Sequence, residues 1–322
     1  MPRPPRTGCL ENRHFALKPD APARRRCLPS AMIDAATIKP LPQSSTVDGK
    51  KRRVLVTGAS GNIGRYFALH NKDRYELRLL AHGSTQEDPE LAACGEIVDG
   101  DITDLDAIKK LCAGIDTIVH MAGNPSALST WAELLQPNVI GVYNTFVAAK
   151  AAGCKRVIFA SSIHAVSGYP ADVQVKPGDP VNPGDMYGVT KCFGEALARY
   201  MAEQEGLSSI CLRIGAFQPM ESAVAEQGVK MLDAWVSQRD LNQLIQRCVD
   251  VENLQFAIFN GLSDNRFKRL DITNARELLG YSPVDDTTRA NPELKDLKLA
   301  DRVMAHSVQD SPDKSGIRDD VK

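Results

Sequence analysis

The feature that most constrains the fold of this chain is a glycine-rich turn placed between an apolar segment and an amphipathic one. Residues 53–56 predict a short buried strand, the glycines after them are spaced G-x-x-G-x-x-G, and a helix is predicted from Arg65 onward. Glycine lets the backbone turn tightly and lets a pyrophosphate approach the amide groups at a helix N-terminus. The turn therefore predicts a dinucleotide site. We expect the cofactor contacts in this segment to be Gly58, Ser60, Gly61, Asn62, Ile63 and Gly64.

Downstream of this turn, short apolar strands alternate with helical segments. A helix predicted from Asn138 to Ala152 ends at Gly153, as a glycine after a helix C-terminus often does. The alternation predicts the α/β class, with a Rossmann-type doubly wound parallel sheet covered by helices on both faces. The predicted strands cover residues 53–56, 76–80, 96–98, 117–120 and 157–160. After Ile214 the alternation of strands and helices becomes less regular. The later elements are predicted as helices at residues 232–236, 239–251 and 275–279 and a strand at residues 256–261.

The ends of the predicted strands supply further candidates for cofactor binding. His82 occupies the position where NAD-selective folds carry an acid that binds the ribose hydroxyls, so both NAD and NADP remain candidate cofactors. The alternative for His82 is a plain surface residue. Asp101 is a candidate acceptor for the adenine amino group, with Ile102 against the ring; the alternative is a turn acid ahead of a helix. The segment expected beside the nicotinamide is Met121, Ala122 and Gly123.

A tyrosine and a lysine four residues apart, Tyr187 and Lys191, share one face of a predicted helix. Free tyrosine has a pKa near ~10 and is a poor base at neutral pH, whereas a neighbouring ammonium stabilises the phenolate. A serine from the strand that ends at Ser161 and Ser162 can hold a substrate oxygen. The three groups predict a proton-transfer site for an alcohol/carbonyl pair. This spacing also arises by chance on surface helices. The glycine turn upstream is the feature that favours the catalytic interpretation here.

In this order and spacing, the motifs resemble the extended short-chain dehydrogenase/reductase superfamily, also known as the NAD-dependent epimerase/dehydratase family, over about residues 53–283. Within that family the chain is most similar to uronate dehydrogenases. The segments that carry this likeness are residues 159–162 with His164, residues 187–195, residues 212–215, and residues 230–232 with Trp235.

The resemblance implies a role for each matching residue. Tyr187 is expected to be the general base, Lys191 to hold the nicotinamide ribose and lower the pKa of the phenol, and Ser162 to be the catalytic serine. Ser162, His164 and Lys230 are the expected substrate-binding residues, although His164 could equally be a loop histidine satisfied by backbone. The implied activity is NAD(P)-dependent oxidoreduction at a hydroxyl or hemiacetal carbon of a sugar-like substrate. Pairing into a homodimer through the helix with Tyr187 and the helix after Asn138 is also implied.

Three positions differ from the uronate enzymes. Ile163 stands in place of their asparagine, Ala216 in place of their serine, and Lys230 in place of the arginine that binds the substrate carboxylate. A lysine neutralises a carboxylate but cannot hold it bidentately, so uronic acid is one candidate among several. Two alternatives to a dehydrogenase also remain. One is a sugar-nucleotide epimerase on the same scaffold, and the other is a non-catalytic NAD(P)-binding regulator.

The composition of the chain limits the classes of partner that are expected. The formal net charge of -1 predicts neither nucleic acid nor an acidic membrane as partner, and no apolar run approaches the ~18 residues of a membrane helix. The eight cysteines include no C-x-x-C pair and several lie in predicted elements, which favours a reduced, cytoplasmic chain without a metal site.

The two ends of the chain differ from its middle. Residues 1–50 are rich in Pro and Arg without periodicity, which predicts a disordered extension. For residues 1–31 a transit peptide and an upstream start codon, with Met32 as the true first residue, remain open. The predicted division of the remainder is an NAD(P)-binding domain at residues 51–284, whose substrate lobe, implied by the resemblance, is mainly residues 215–284, and a flexible tail at residues 285–322.

Overall fold

The computed structural model describes residues 45–47, 49–81, 88–223, 233–292, 294 and 308. His82, Lys230, the proposed extension up to residue 44 and most of the tail lie outside the described residues. Within them, one parallel sheet of seven strands forms the centre of the molecule. Its strands are β1 (Arg53–Thr57), β2 (Glu76–Ala81), β3 (Glu96–Asp99), β4 (Thr117–His120), β5 (Arg156–Ser162), β6 (Ser208–Ile214) and β7 (Phe256–Gly261).

The strand order across this sheet is β7-β6-β5-β4-β1-β2-β3. The chain therefore winds outward from β1 in one direction and from β4 in the other. At such a reversal the connections leave to opposite faces, and a crevice opens at the carboxyl ends of the central strands. The predicted doubly wound sheet is confirmed, and this crevice is where a site is expected.

Helices cover both faces of the sheet because successive strand side chains point to opposite sides. Val54 and Val56 pack with the layer that includes α1 and α7, whereas Leu55 packs with the layer of α3, α5 and α6. The helices are α1 (Asn62–Asn71), α2 (Pro89–Ala92), α3 (Leu105–Leu111), α4 (Trp131–Leu134), α5 (Gly141–Ala151), α6 (Met186–Glu203), α7 (Gln238–Asp250), α8 (Thr273–Leu279) and α9 (Thr287–Ala290). Short 3₁₀ turns occupy Ile163–Val166 and Met220–Ala223, and a small antiparallel pair joins Thr46–Val47 to Lys50–Lys51.

The helix predicted from Asn138 begins differently in the structure. Leu135–Ile140 form a π-helical turn, and regular α-helix starts only at Gly141. Pro137 lies inside this turn and has no amide hydrogen to donate, which breaks the regular i→i−4 ladder. The helix end is as predicted, since Gly153 has a φ of 73°.

One prediction for the C-terminal part is wrong, and the start of the predicted tail is packed. Instead of a helix, Trp235–Ser237 form a strand that pairs in parallel with Ala216–Gln218. The Trp235 ring is fully buried, so tertiary packing overrides the weak helical pattern. The polar tail predicted from Asp285 is packed at its start. The Asp285 carboxylate accepts hydrogen bonds from Ser237 and Arg239, and the buried Thr287 begins α9.

Candidate active site

The glycine turn brings three chain segments unusually close together. Gly58 has a φ of 67°, and a Cβ atom there would lie 2.8 Å from the Ala122 amide nitrogen. A Cβ atom at Gly64 would lie 2.2 Å from the Gly58 carbonyl oxygen. The Gly61 amide donates to that same carbonyl over 3.0 Å. The first and third glycines are therefore required by the backbone itself, the first for its left-handed conformation and both for close approach.

The N-terminus of α1 opens from this turn toward the cleft. No side chain caps it at Gly61, and its first turn carries no acidic residue. The cleft wall there is formed by Gly58, Gly61, Asn62, Ile63 and Gly64. Uncapped amides at the positive end of a helix dipole suit a pyrophosphate, so this part of the structure fits a dinucleotide. Ser60 lies in the same turn but outside the lining of the cleft.

The other predicted cofactor contacts divide into two groups. Met121 and Gly123 line the cleft, whereas the Ala122 amide donates to Thr57 Oγ1 over 3.2 Å and so holds the two strand ends together. Asp101 is exposed beyond β3 and accepts a hydrogen bond from the Thr103 amide, as a turn acid does. Ile102 is buried against α5, where a Cβ at position 141 would touch it. The adenine contact predicted for these two residues stays a prediction.

Tyr187 and Lys191 do lie on one face of α6, and both face the cleft together with Ser162 at the end of β5. The Lys191 ammonium donates to the Ala160 carbonyl over 2.8 Å and lies 5.3 Å from the centre of the Tyr187 ring. The Ser162 side chain lies next to the Tyr187 phenol and stabilises its ionised form. The sheet and the helix thus bring the three predicted catalytic groups to one point.

Burial sets the protonation of these groups. Burial raises the pKa of Tyr187 to about 12. The nearby Asp185 charge also raises this pKa, whereas the interaction with Ser162 lowers it. Burial also lowers the pKa of Lys191 to about 8. The lowered phenol pKa predicted from the sequence is wrong, because desolvation is the largest influence on this group and raises its pKa.

Two residues of the site were missed by sequence reasoning. Asn138 accepts from the Asn124 amide over 2.7 Å and donates to the Asn124 carbonyl and to Thr190 Oγ1, so it ties the loop after β4 to α6. Asp185 caps α6 through the Gly188 amide and also contacts His164. An aspartate just before a predicted helix is a recognisable N-cap, so it could have been found. The fold alone reveals its histidine partner.

Neighbouring polar groups have structural roles. Ser161 donates to Glu195, which pairs with Arg213, and the three side chains are buried. His120 is fully buried, and its Nδ1 lies 2.7 Å from Thr57 Oγ1. Desolvation lowers the His120 pKa to about 3, so this ring stays neutral beneath the site. Ser161 and His120 therefore have structural roles.

The whole cleft encloses about 680 Å³. One wall is the glycine turn and the other is the Ser162–Tyr187 side, while residues 214–218 with Ala234 close the C-terminal side. No group of three or more His, Cys, Asp or Glu side chains that could hold a metal occurs among the described residues. The same residues include no helix long and apolar enough to cross a membrane.

Comparisons with known proteins agree with this geometry. The model of the NAD dependent epimerase/dehydratase family matches residues 54–237. Uronate dehydrogenase of Pseudomonas putida is 34% identical over 77% of this chain and 91% of its own length. NAD-dependent glucose-6-phosphate dehydrogenase of Haloferax volcanii is 32% identical over 73% of this chain and 94% of its own. The crystal structure of uronate dehydrogenase from Agrobacterium tumefaciens is 31% identical, superposes with a TM-score of 0.66, and covers 77% of this chain and 90% of that one. This chain belongs to the NAD dependent epimerase/dehydratase family.

Proposed function

We propose that this protein is an NAD(P)-dependent oxidoreductase that acts on a CH–OH group of a sugar-like molecule. The observation that carries the proposal is the meeting of Ser162, Tyr187 and Lys191 in a cleft whose opposite wall is an uncapped, glycine-lined helix N-terminus. The relatives named above act on uronates and on glucose 6-phosphate, which supports a sugar-like substrate. Within that class, the individual sugar is left to experiment.

Each residue of the site has a separate proposed role. In this proposal Ser162 and Tyr187 hold the reacting oxygen, and Tyr187 exchanges its proton with the substrate hydroxyl. Lys191, whose ammonium donates to the Ala160 carbonyl, is the proposed contact of the nicotinamide ribose. When bound, the nicotinamide accepts the hydride and adds positive charge beside the phenol. The pyrophosphate would lie on the amides of residues 61–64, and either NAD or NADP suits them.

A spectrophotometric screen tests the proposal. Uronates, aldoses, sugar phosphates and polyols are each offered with NAD and with NADP, and the nicotinamide absorbance is followed. A dehydrogenase produces a net change in that absorbance, whereas a sugar-nucleotide epimerase regenerates its cofactor and leaves it constant. A non-catalytic regulator would bind the cofactor and convert none of the substrates. Conversion of a sugar without net absorbance change would replace the proposal by the epimerase alternative.

The pH dependence of oxidation follows from the two shifted groups. Below the Tyr187 pKa of about 12 the phenolate fraction grows with pH, so kcat/KM for oxidation is expected to rise by about tenfold per pH unit. The rise is expected to flatten above the Lys191 pKa of about 8, where the ammonium is lost. Reduction uses the phenol form and should change little below that value. Initial rates in both directions, with substrate deuterated at the reacting carbon as a check on the step measured, test this. A flat oxidation profile below the bend would contradict it.

An apolar surface supports the homodimer. Tyr143 on α5 is 48% exposed, and Val189, Phe193 and Tyr200 follow one face of α6 with exposures of 40%, 36% and 51%. Exposed aromatic and aliphatic side chains on two adjacent helices are typical of a subunit interface. We infer that two copies pack through these helices.

Charge on that surface should break the dimer. We expect wild-type protein to sediment at twice the chain mass of 35.1 kDa and Tyr143→Arg to sediment as a monomer. Leu278→Arg is the control, because Leu278 is 54% exposed on α8, away from this surface. Analytical ultracentrifugation measures both. A monomeric wild type, or a dimeric Tyr143→Arg, would refute this interface.

A cytoplasmic location is also proposed. The six described cysteines all carry free thiols, and Cys154 Sγ lies 3.9 Å from the Cys112 carbonyl oxygen. Free thiols in buried positions suit a reducing compartment.

A further inference from the structure

Asp185 is a buried carboxylate placed between the start of α6 and the cleft. Its side chain is 0% exposed. Oδ1 accepts a hydrogen bond from the Gly188 amide over 2.7 Å, and Oδ2 lies 2.6 Å from His164 Nδ1. The first contact caps the helix that carries Tyr187. The second joins the helix to a residue 21 positions earlier in the chain.

Helix capping alone does not account for this arrangement. Asp104 caps α3 through two amides in the same way, yet it is exposed to solvent and contacts no histidine. Serine or asparagine caps a helix about as well as aspartate, without the cost of burying a charge. At position 185 one oxygen is sufficient for the cap. The second oxygen therefore has a separate partner and a separate role.

The contact with Asp185 holds the His164 ring by its Nδ1 atom. A carboxylate oxygen accepts hydrogen bonds, so Nδ1 is the donor in this contact, and Nε2 lies on the opposite side of the ring. The His164 ring meets the Tyr187 ring edge-on with centroids 5.4 Å apart, and the His164 amide donates to Ser162 Oγ over 3.2 Å. His164 also lines the cleft. The histidine thus lies next to both groups that hold the reacting oxygen.

We propose that Asp185 is a positioning residue that holds His164 by Nδ1 and sets the orientation of its ring, so that His164 Nε2 hydrogen-bonds a second substrate hydroxyl beside the reacting one. This inference rests on the proposed function and deepens it. It assigns the substrate to molecules with hydroxyls on neighbouring carbons, and it disfavours alcohols with a single hydroxyl. A substrate that lacks the second hydroxyl leaves His164 without this contact.

A double-mutant cycle on the full-length protein tests the proposal. The substrate is a sugar that the screen shows the wild type to oxidise, so failure of the proposed function appears there, before any variant is compared. Asp185→Asn keeps a capping oxygen, and we expect it to lower kcat/KM by about 10- to 100-fold with cofactor affinity unchanged. His164→Asn should lose about as much. Adding Asp185→Asn to His164→Asn should cost almost nothing more, because the two residues act as one unit.

Two further measurements separate positioning from capping. The loss in Asp185→Asn should nearly vanish with a deoxy analogue that lacks the neighbouring hydroxyl, and the capping control Asp104→Asn should leave kcat/KM unchanged. Long-range ¹H–¹⁵N NMR of histidine-labelled protein, with His164→Asn for assignment, should show a protonated Nδ1 in the wild type and its loss in Asp185→Asn. An equal loss in the His164→Asn background or on the deoxy analogue would overturn the proposal, as would an unprotonated Nδ1 in the wild type.

Discussion

Replacing Tyr187 with phenylalanine is expected to lower kcat/KM by about 10²–10⁴-fold, which is the range for losing a general acid–base. The ring remains, so packing against His164 and the Lys191 ammonium is kept. Only the hydroxyl next to Ser162 is removed. Cofactor affinity should therefore change little, because the glycine turn and α1 are untouched. Steady-state rates and a fluorescence titration of the reduced cofactor measure the two quantities separately.

Tyr200→Phe is the matched control for this variant. It removes a phenol from the same helix, but Tyr200 is 51% exposed and its hydroxyl donates to Glu205 at the surface. We expect its turnover and cofactor affinity to equal those of the wild type. If Tyr187→Phe kept full turnover, the proton would have to leave by another group, and the proposed mechanism would be wrong. If it lost cofactor affinity as well as turnover, a structural role for the phenol would be indicated instead.

Burial raises the pKa of Tyr187 to about 12, so the phenol is mostly protonated near neutral pH. In the proposed oxidation Tyr187 must accept a proton, and the phenolate is the form that can do so. The oxidised cofactor brings an additional positive charge. We therefore expect the order of binding to matter, with the oxidised cofactor preceding the alcohol.

The sheet and the glycine turn were predictable from sequence because each is a local pattern. The run from Arg53 to Gly64 contains a buried strand, the turn and the start of a helix without interruption, and glycine's freedom is required there at Gly58. Tyr187 and Lys191 were predictable for the same reason, since helical periodicity alone places them together. Phe256–Gly261 and α7 were also recognised from their own apolar spacing.

The parts that sequence did not reveal depend on contacts between distant segments. The pairing of Asp185 with His164 and the bridge from Asn138 to Thr190 exist only once α6 lies against β5 and the π-helical turn. The strand Trp235–Ser237 is too short to show a period, and its partner at Ala216–Gln218 decides its form. The direction of the Tyr187 pKa shift likewise follows from burial, which is a property of the fold.

A buried ion pair connects the central sheet to α6. Glu195 on α6 accepts from Arg213 Nε over 2.9 Å and from Nη2 over 2.8 Å, and its Oε1 also accepts from Ser161 Oγ over 2.6 Å. The Arg213 and Glu195 side chains are 1% and 4% exposed. Ser161 and Arg213 are register partners on β5 and β6, so one carboxylate holds both strand ends next to Ser162. Removing one member of such a pair leaves a buried charge without compensation.

Glu195→Gln is therefore expected to lower the free energy of unfolding by about 3 kcal/mol, since breaking a buried pair typically costs this much or more. The control is Glu203→Gln on the same helix, whose pair with Arg199 is exposed, and it should cost less than about 0.5 kcal/mol. Combining Glu195→Gln with Arg213→Met removes both charges and should recover part of the loss, because no buried charge then lacks a partner. Urea denaturation of the four proteins measures these differences. Equal midpoints for Glu195→Gln and Glu203→Gln would show that the buried pair contributes no more than a surface one.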